Sequence, residues 1–325
     1  MKPNIRRQST LRAPAMCRGV SLHGGSQTRL VMTPAAPDTG LVVRRTDIAD
    51  RDNLIPIRPE SVTDVRNCTT VSNAAGVSVS TIEHLLAALS AAGVDNLLID
   101  LDGPELPALD GSAEPFLKLI EQVGLERQAA PRRYVRVLKP VEIRDGDLFA
   151  RIEPCDRFEL DVTIDFDDAA IGRQRLQMAP DVRAFRERLA SARTFARQHE
   201  VAALQAAGLS KGGSLDNAVL VDGDRVVNPE GLRFDDEFVR HKALDLIGDM
   251  YLGGPMLGRV ITERSGHGLN HDLLTKLFAT AEAWEYAVLP GSRTLVALMG
   301  AREEARADVS EVKGPDTGPA IAVSA

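Results

Sequence analysis

The sequence predicts an α+β protein made of two related halves, and three observations carry that prediction. Short runs that alternate apolar and polar residues open each half, as half-buried strands do. Each half then continues with a helix, a strand, a loop and a second helix, in the same order. When His84 is set against His241, Phe116-Leu-Lys-Leu-Ile120 falls near Leu274-Thr-Lys-Leu-Phe278. A repeat of that length means duplicated domains and not a solenoid.

Along the chain, residues 9–43 alternate in polarity and break at Gly19, at Gly24-Gly25 and at residues 34–40, which reads as several short strands. More short strands and turns are expected over residues 48–79. Residues 80–92 form a helix with Leu85, Leu86 and Leu89 on its apolar side, and Ser80 and Glu83 have capping-box spacing. A strand over 96–101, a proline-containing loop over 103–111 and a helix over 113–123 close the first half. The charged, proline-containing stretch 127–133 joins the halves. Strands are then expected over 134–143, 148–152 and 158–166, and helical segments over 183–192 and 195–207. The glycine-rich residues 208–214 lead into a strand over 218–222. A helix ending at Gly253-Gly254, a strand over 258–263 and a helix from 271 to about 285 repeat the earlier order. The partition is therefore residues 1–128, residues 129–302 with an insertion near 195–222, and an unstructured tail over 303–325. That tail follows from its Ala, Glu, Gly and Pro content without apolar periodicity.

Composition narrows the function. With 325 residues and 44% hydrophobic content the chain can bury a sizeable core. A formal charge of −7, from 39 basic and 46 acidic residues, argues against a general nucleic-acid binder. Three scattered cysteines, Cys17, Cys68 and Cys155, give no disulfide framework and suit a reducing cytoplasm. No run of apolar residues is long enough for an integral membrane segment.

The stretch Phe238-Val-Arg-His-Lys-Ala-Leu-Asp-Leu-Ile-Gly-Asp-Met250 carries the strongest chemical signal. At helical spacing His241 and Asp245 are neighbours, Asp249 lies one turn further on, and Lys242 edges the stripe. Val239, Ala243, Leu246, Ile247 and Met250 line the other side. Two readings fit: an amphipathic helix with a solvated acidic edge, or a polar line satisfied by a divalent cation, since His-x-x-x-Asp offers zinc one nitrogen and one oxygen. Glu83 likewise reads as a cap residue or as a carboxylate base beside a metal-ligating His84. His23, in a glycine-rich turn, reads as structural or solvated, and His199 as solvated. Cys68 reads as a small buried residue.

Several pieces, in order, resemble the zinc-dependent UDP-3-O-acyl-N-acetylglucosamine deacetylase family of lipid A biosynthesis. They are Ser80-Thr-Ile-Glu-His-Leu85, Pro107-Ala-Leu-Asp-Gly-Ser-Ala-Glu-Pro-Phe116, Ala192-Arg-Thr-Phe195 and Gly212-Gly-Ser-Leu-Asp216. Gly231-Leu-Arg-Phe234, the 238–249 helix and Ser265-Gly-His-Gly-Leu-Asn270 complete the set, over about residues 9 to 287. The resemblance implies two domains, each a β-sheet with paired helices, with the helix layers packed between the two sheets. It implies Zn2+ held by His84, His241 and Asp245, with Glu83 as general base and His267 as general acid. It gives Asp249 the orienting of His267, Thr194 a hydroxyl toward the oxyanion, and Lys242 the substrate diphosphate. Phe166 would stack on uracil, and Phe195, Val201, Leu209, Ser210 and Ala218 would line an acyl passage. The implied substrate is an acylated UDP-amino sugar, and the expected protein is a cytoplasmic monomer. A zinc amidohydrolase acting on another acylated amine, or a non-catalytic sugar-nucleotide or lipid binder, are the competing functions.

Overall fold

A computed structural model describes residues 5–291, and the expected tail lies outside the described residues. The first half opens with β1 (Arg7–Leu11), β2 (Ala15–Val20), β3 (Gln27–Pro34), β4 (Leu41–Arg45) and β5 (Leu54–Pro56). Three short strands follow, β6 (Val62–Asp64), β7 (Thr70–Ser72) and β8 (Ser78–Val79). Then come α1 (Glu83–Ala92), β9 (Leu97–Leu101), α2 (Glu114–Val123) and β10 (Leu125–Pro131). The second half begins with β11 (Arg133–Val137), β12 (Val141–Asp145), β13 (Leu148–Glu153), β14 (Phe158–Asp165) and β15 (Arg173–Met178). An excursion contains α3 (Val182–Arg188), β16 (Phe195–Arg197), α4 (Gln198–Ala206), β17 (Val219–Asp222) and β18 (Arg225–Val226). The second half closes with α5 (Glu237–Tyr251), β19 (Met256–Glu263), α6 (His267–Ala279) and β20 (Trp284–Val288).

The duplication is visible in the strand register. In the first half the order is β2-β3-β9-β4-β5, with β9 antiparallel to β3 and parallel to β4. In the second half β12-β13-β19-β14-β15 repeats it, with β19 antiparallel to β13 and parallel to β14. The flanking strands match in part, for the first-half pair is a sheet of its own whereas β11 also pairs parallel with β19 and joins the large sheet. β1 pairs antiparallel with β10, which follows α2, and β11 pairs antiparallel with β20, which follows α6. The stretch expected to join the halves is thus largely extended, in β10.

Helices α1 and α2 pack together, as do α5 and α6, and α1 against α5 makes the central contact. α2 rests on β2, α5 on β14 and β15, and α6 on β12 and β13, so the helices lie between the two large sheets. Strand alternation accounts for the facing. In β9, Leu97, Ile99 and Leu101 are fully buried while Asp100 points away and pairs with Arg44. The central position of α1 explains why both its sides are apolar: Leu85, Leu86, Ala87, Ala88 and Leu89 are all buried. The helix ends at Gly93, whose φ of 80° suits glycine and lets its N–H cap Leu89 O.

Several expected boundaries move. The capping box at Ser80 does not form: α1 starts at Glu83, Ile82 occupies the cap position, and Ser80 Oγ instead donates to Pro104 O at 3.3 Å. Residues 134–143 are two strands, β11 and β12, separated around Pro140. Phe195–Arg197 is a strand pairing with β17, and only Gln198 onward is helical. The last helix begins four residues before the expected start, at His267, and ends at Ala279. Trp284-Glu-Tyr-Ala-Val288 is then β20, and β15 lies where no strand was expected.

Candidate active site

Close approach of α1 and α5 builds the site. A Cβ added to Gly248 would lie 2.1 Å from Glu83 O, so only glycine lets the α1 N-terminus sit this near α5. That contact sets Glu83 and His84 beside His241, Asp245 and Asp249. The polar line on α5 is not a solvated edge, because His241, Asp245 and Asp249 are all buried.

His84 Nε2 and His241 Nε2 lie 3.5 and 3.3 Å from Asp245 Oδ1, and the two rings meet edge to face with centroids 4.9 Å apart. One donor atom from each of the three residues lies within 4.8 Å of the others. His241 Nδ1 is 3.1 Å from Ala192 O, a geometry in which Nδ1–H donates and Nε2 keeps its lone pair toward Asp245. Burial lowers the His241 pKa to about 4, so the ring is neutral as a ligand must be. Burial opposes charge on Asp245, but His241 and Lys242 hold its carboxyl well below the usual range. Lys242 Nζ donates to Asp245 Oδ2 at 2.9 Å, whereas buried Asp245 Oδ1 has no hydrogen-bond partner among the described residues. An ionised, unpartnered buried oxygen is costly unless a cation faces it: without a metal ion that cation is a protonated His84, whose pKa burial opposes but Asp245 and Glu83 raise, and with a metal ion His84 gives up that proton. Two imidazole nitrogens and that oxygen are a donor set suited to zinc with an open coordination position.

A second cluster adjoins the first. His267 Nδ1 lies 2.9 Å from Asp249 Oδ2, and its Nε2 is 4.0 Å from Glu83 Oε1. Asp249 Oδ2 also accepts from Asn270 Nδ2 at 2.9 Å, and Oδ1 accepts from Thr69 Oγ1 at 2.7 Å. Burial disfavours a charged His267, and so does its place in the first turn of α6. The charge and hydrogen bond of Asp249 outweigh burial and raise the His267 pKa to about 9. The Glu83 carboxyl is pushed up, chiefly by burial, with His267 and His84 opposing. Thr69 and Asn270 were not singled out by sequence. Asn270 sits one helical turn after His267 in a quoted motif, whereas no spacing rule links Thr69 to Glu83 or Asp249.

The segment carrying Thr194 is fixed from beneath. Arg193, 2% exposed, donates through Nε to Glu237 Oε1 at 2.9 Å, and Glu237, on the first turn of α5, is fully buried. Glu237 also accepts the backbone N–H groups of Arg193 and Arg233, tying residues 192–195 and 231–234 to the helix start. Thr194 N donates to Gly111 O at 2.8 Å, and a Cβ at Gly111 would lie 1.9 Å from Asn217 O. Three of the quoted motifs therefore converge on this corner. Thr194 is half-buried, two residues from the carbonyl that faces His241 Nδ1.

Phe195 packs edge-on against Phe166, Phe238 and the His241 ring, and the Arg197 guanidinium lies 5.5 Å from the centre of the Phe166 ring. A cavity of about 790 Å³ runs between the β6–β8 region and α4. Among its walls are His23, Cys68, Pro104, Leu204 and Leu209. Of the five residues expected in an acyl passage, Leu209 is in this wall; Phe195, Val201, Ser210 and Ala218 are not. His23 departs from the solvated reading, since both ring nitrogens are shielded and lack partners among the described residues. Burial lowers its pKa, and the charge of Glu105 opposes that shift without cancelling it. His199 is exposed, as expected. Cys68 is half-buried, and burial pushes its thiol up to about 12, which leaves it an unreactive wall residue.

A buried nitrogen–nitrogen–oxygen triad that could hold a metal ion, beside a buried carboxylate and an imidazole paired with Asp249, is an arrangement that hydrolytic chemistry can use. The family model described as UDP-3-O-acyl N-acetylglycosamine deacetylase matches residues 8–279, and the chain belongs to that family. Relatives named UDP-3-O-acyl-N-acetylglucosamine deacetylase agree. The one from Phenylobacterium zucineum (strain HLK1) is 52% identical over 278 residues, covering 85% of this chain and 95% of its own. The one from Anaeromyxobacter sp. (strain Fw109-5) is 47% identical over 273 residues, covering 84% and 88%. The Haemophilus influenzae (strain 86-028NP) relative is 44% identical over 283 residues, covering 86% and 92%.

Proposed function

We propose that this chain hydrolyses the N-acetyl group of UDP-3-O-acyl-N-acetylglucosamine in the cytoplasm, releasing acetate and the free 2-amino sugar nucleotide for lipid A biosynthesis. The observation that carries the reading is the meeting of Glu83, His84, His241, Asp245, Asp249 and His267 in one buried site, in a chain of this family. Among the described residues no helix is long and apolar enough to cross a membrane.

His84, His241 and Asp245 would hold the metal, with Zn2+ favoured by the donor set. When bound, that ion supplies Lewis acidity and a lowered pKa for water. Glu83 takes a proton from the attacking water; its burial-raised pKa makes it a stronger base than an exposed glutamate. His267, kept charged by Asp249, gives a proton from Nε2 to the departing nitrogen, because an amine anion is a poor leaving group. The Thr194 hydroxyl donates to the oxyanion that develops on the amide carbonyl. Lys242 lies beside the same centre and serves as a cation for the diphosphate, and Phe166 offers an aromatic face for the uracil. The two halves, residues 1–128 and 129–302, would act as one unit with the site at their shared helix layer.

The test is acetate release by purified, zinc-loaded protein from UDP-3-O-acyl-N-acetylglucosamine and, separately, from a simple N-acetylhexosamine. Turnover of the acylated UDP sugar is the expected result. Turnover of the simple sugar alone would overturn the substrate assignment, and binding without acetate release would overturn the reaction.

A further inference from the structure

Thr69 immediately precedes β7 and is only 2% exposed, facing the start of α1 and the middle of α5. Its backbone N–H donates to Glu83 Oε2 at 3.1 Å, and its carbonyl accepts from Ile82 N–H at 3.5 Å. Its hydroxyl oxygen lies 2.7 Å from Asp249 Oδ1 and 3.4 Å from His267 Nδ1. A hydroxyl has one proton to give, and an ionised carboxylate can only accept, so the proton goes to Asp249. Asp249 therefore receives Thr69 on one oxygen, and His267 with Asn270 on the other.

Burial alone does not require this arrangement. A hidden threonine hydroxyl is satisfied by any single acceptor, and a nearby main-chain carbonyl is the usual one. Here one residue bonds two carboxylates, on two different helices, that belong to the base and to the partner of the acid. The terminal torsion of a carboxylate side chain is broad, so a directed hydrogen bond on a chosen oxygen selects its plane. On Glu83 the Thr69 N–H engages Oε2, and Oε1 is the oxygen nearest His267 Nε2. On Asp249 the hydroxyl engages Oδ1, and Oδ2 is presented to His267 Nδ1.

We infer that Thr69 is a positioning residue, which fixes the general base and the orienting partner of the general acid from a single backbone point. The inference rests on the roles proposed above for Glu83 and His267. The main-chain donor survives any substitution, but the hydroxyl does not. Thr69→Val removes it at similar shape, and Thr69→Ser restores it.

The experiment measures kcat and KM for acetate release, bound zinc per chain, and the Nδ1–H proton resonance of His267, in wild type and both variants. Loss of one hydrogen bond to a charged group corresponds to about a 10- to 100-fold fall in kcat for Thr69→Val, with KM and zinc content unchanged. The His267 resonance should move in Thr69→Val, and both kcat and resonance should return in Thr69→Ser. A wild-type kcat in the valine variant, a serine variant as slow as valine, or an unmoved resonance would each overturn the inference. Should the wild type release no acetate, the deacetylase reading falls, and the resonance still decides whether Thr69 holds the His267 ring.

Discussion

Gly248 lies on α5 between Asp245 and Asp249, against the first residue of α1. A methyl group there would meet Glu83 O at 2.1 Å, Glu83 C at 2.8 Å and Glu83 Cα at 3.0 Å, all of them backbone. No side chain can rotate away, so relief requires the two helices to part by about 1 Å, to the 3.0–3.4 Å of the tightest tolerated contacts. Two effects compete in Gly248→Ala. Alanine gains up to about 1 kcal/mol of helix propensity over glycine. Overpacking a filled core costs about 1–3 kcal/mol, and the backbone neighbours here put the cost at the upper end. The net expectation is a loss of about 2 kcal/mol of stability. The same displacement carries Glu83 and His84 away from His241 and Asp245, and a misplacement of about 1 Å lowers rates by roughly 10²-fold. The assay is kcat for acetate release at saturating substrate, with melting temperature and bound zinc measured on the same preparation. A variant as stable and as fast as wild type would refute the claim that this helix contact sets the site.

Glu83→Gln should keep its zinc, because His84, His241 and Asp245 are untouched, yet lose most turnover; metal analysis beside kcat checks both halves of that expectation. In the apo protein His267 should stabilise the fold with a definite sign: its pKa is raised to about 9 above the ordinary histidine value, so the contribution is full below about pH 6.5 and disappears as pH rises through about 9. Melting of wild type and His267→Gln from pH 6 to 10 reads this, the difference narrowing toward the alkaline end; a gap that widens with pH would contradict it. Arg193→Ala should cost about 3–5 kcal/mol, because it leaves the buried Glu237 carboxylate without its ion-pair partner. Chemical denaturation measures the loss, and an unchanged midpoint would show that the pair does not anchor the 192–195 segment.

The repeated element order survives in the sequence because each copy had to bury the same kind of helix between sheets. That constraint keeps Leu117 and Ile120 of α2, and Leu274 and Leu277 of α6, apolar at matching places. Strands β15 and β20 were hidden for opposite reasons. Arg173-Gln-Arg-Leu-Gln-Met178 shows only two apolar residues on its buried side, too few to announce a period of two. Trp284 to Val288 has four apolar or aromatic residues in five, too many to show alternation, and it follows helical residues after one short 3₁₀ turn with no glycine or proline to mark the change. Glu83 shows how local rules yield to tertiary ones. Its spacing from Ser80 fits a cap, but Thr69 N–H and the neighbouring histidines claim the carboxylate. His241 and Asp245 stood out as a possible ligand pair because they share a helix turn, while His84, on another helix, joined them only through the family resemblance. The support given by Thr69 was not legible, since it joins residues 14 and 180 positions away through folding alone.

Anomalous scattering at the zinc edge, from crystals of the wild type and of Asp245→Ala grown with Zn2+, bears most directly on the central claim. A single strong peak flanked by His84, His241 and Asp245 in the wild type, lost or greatly weakened in the variant, is the predicted result. Zinc bound elsewhere, or a wild-type map with no peak among those three side chains, would contradict it.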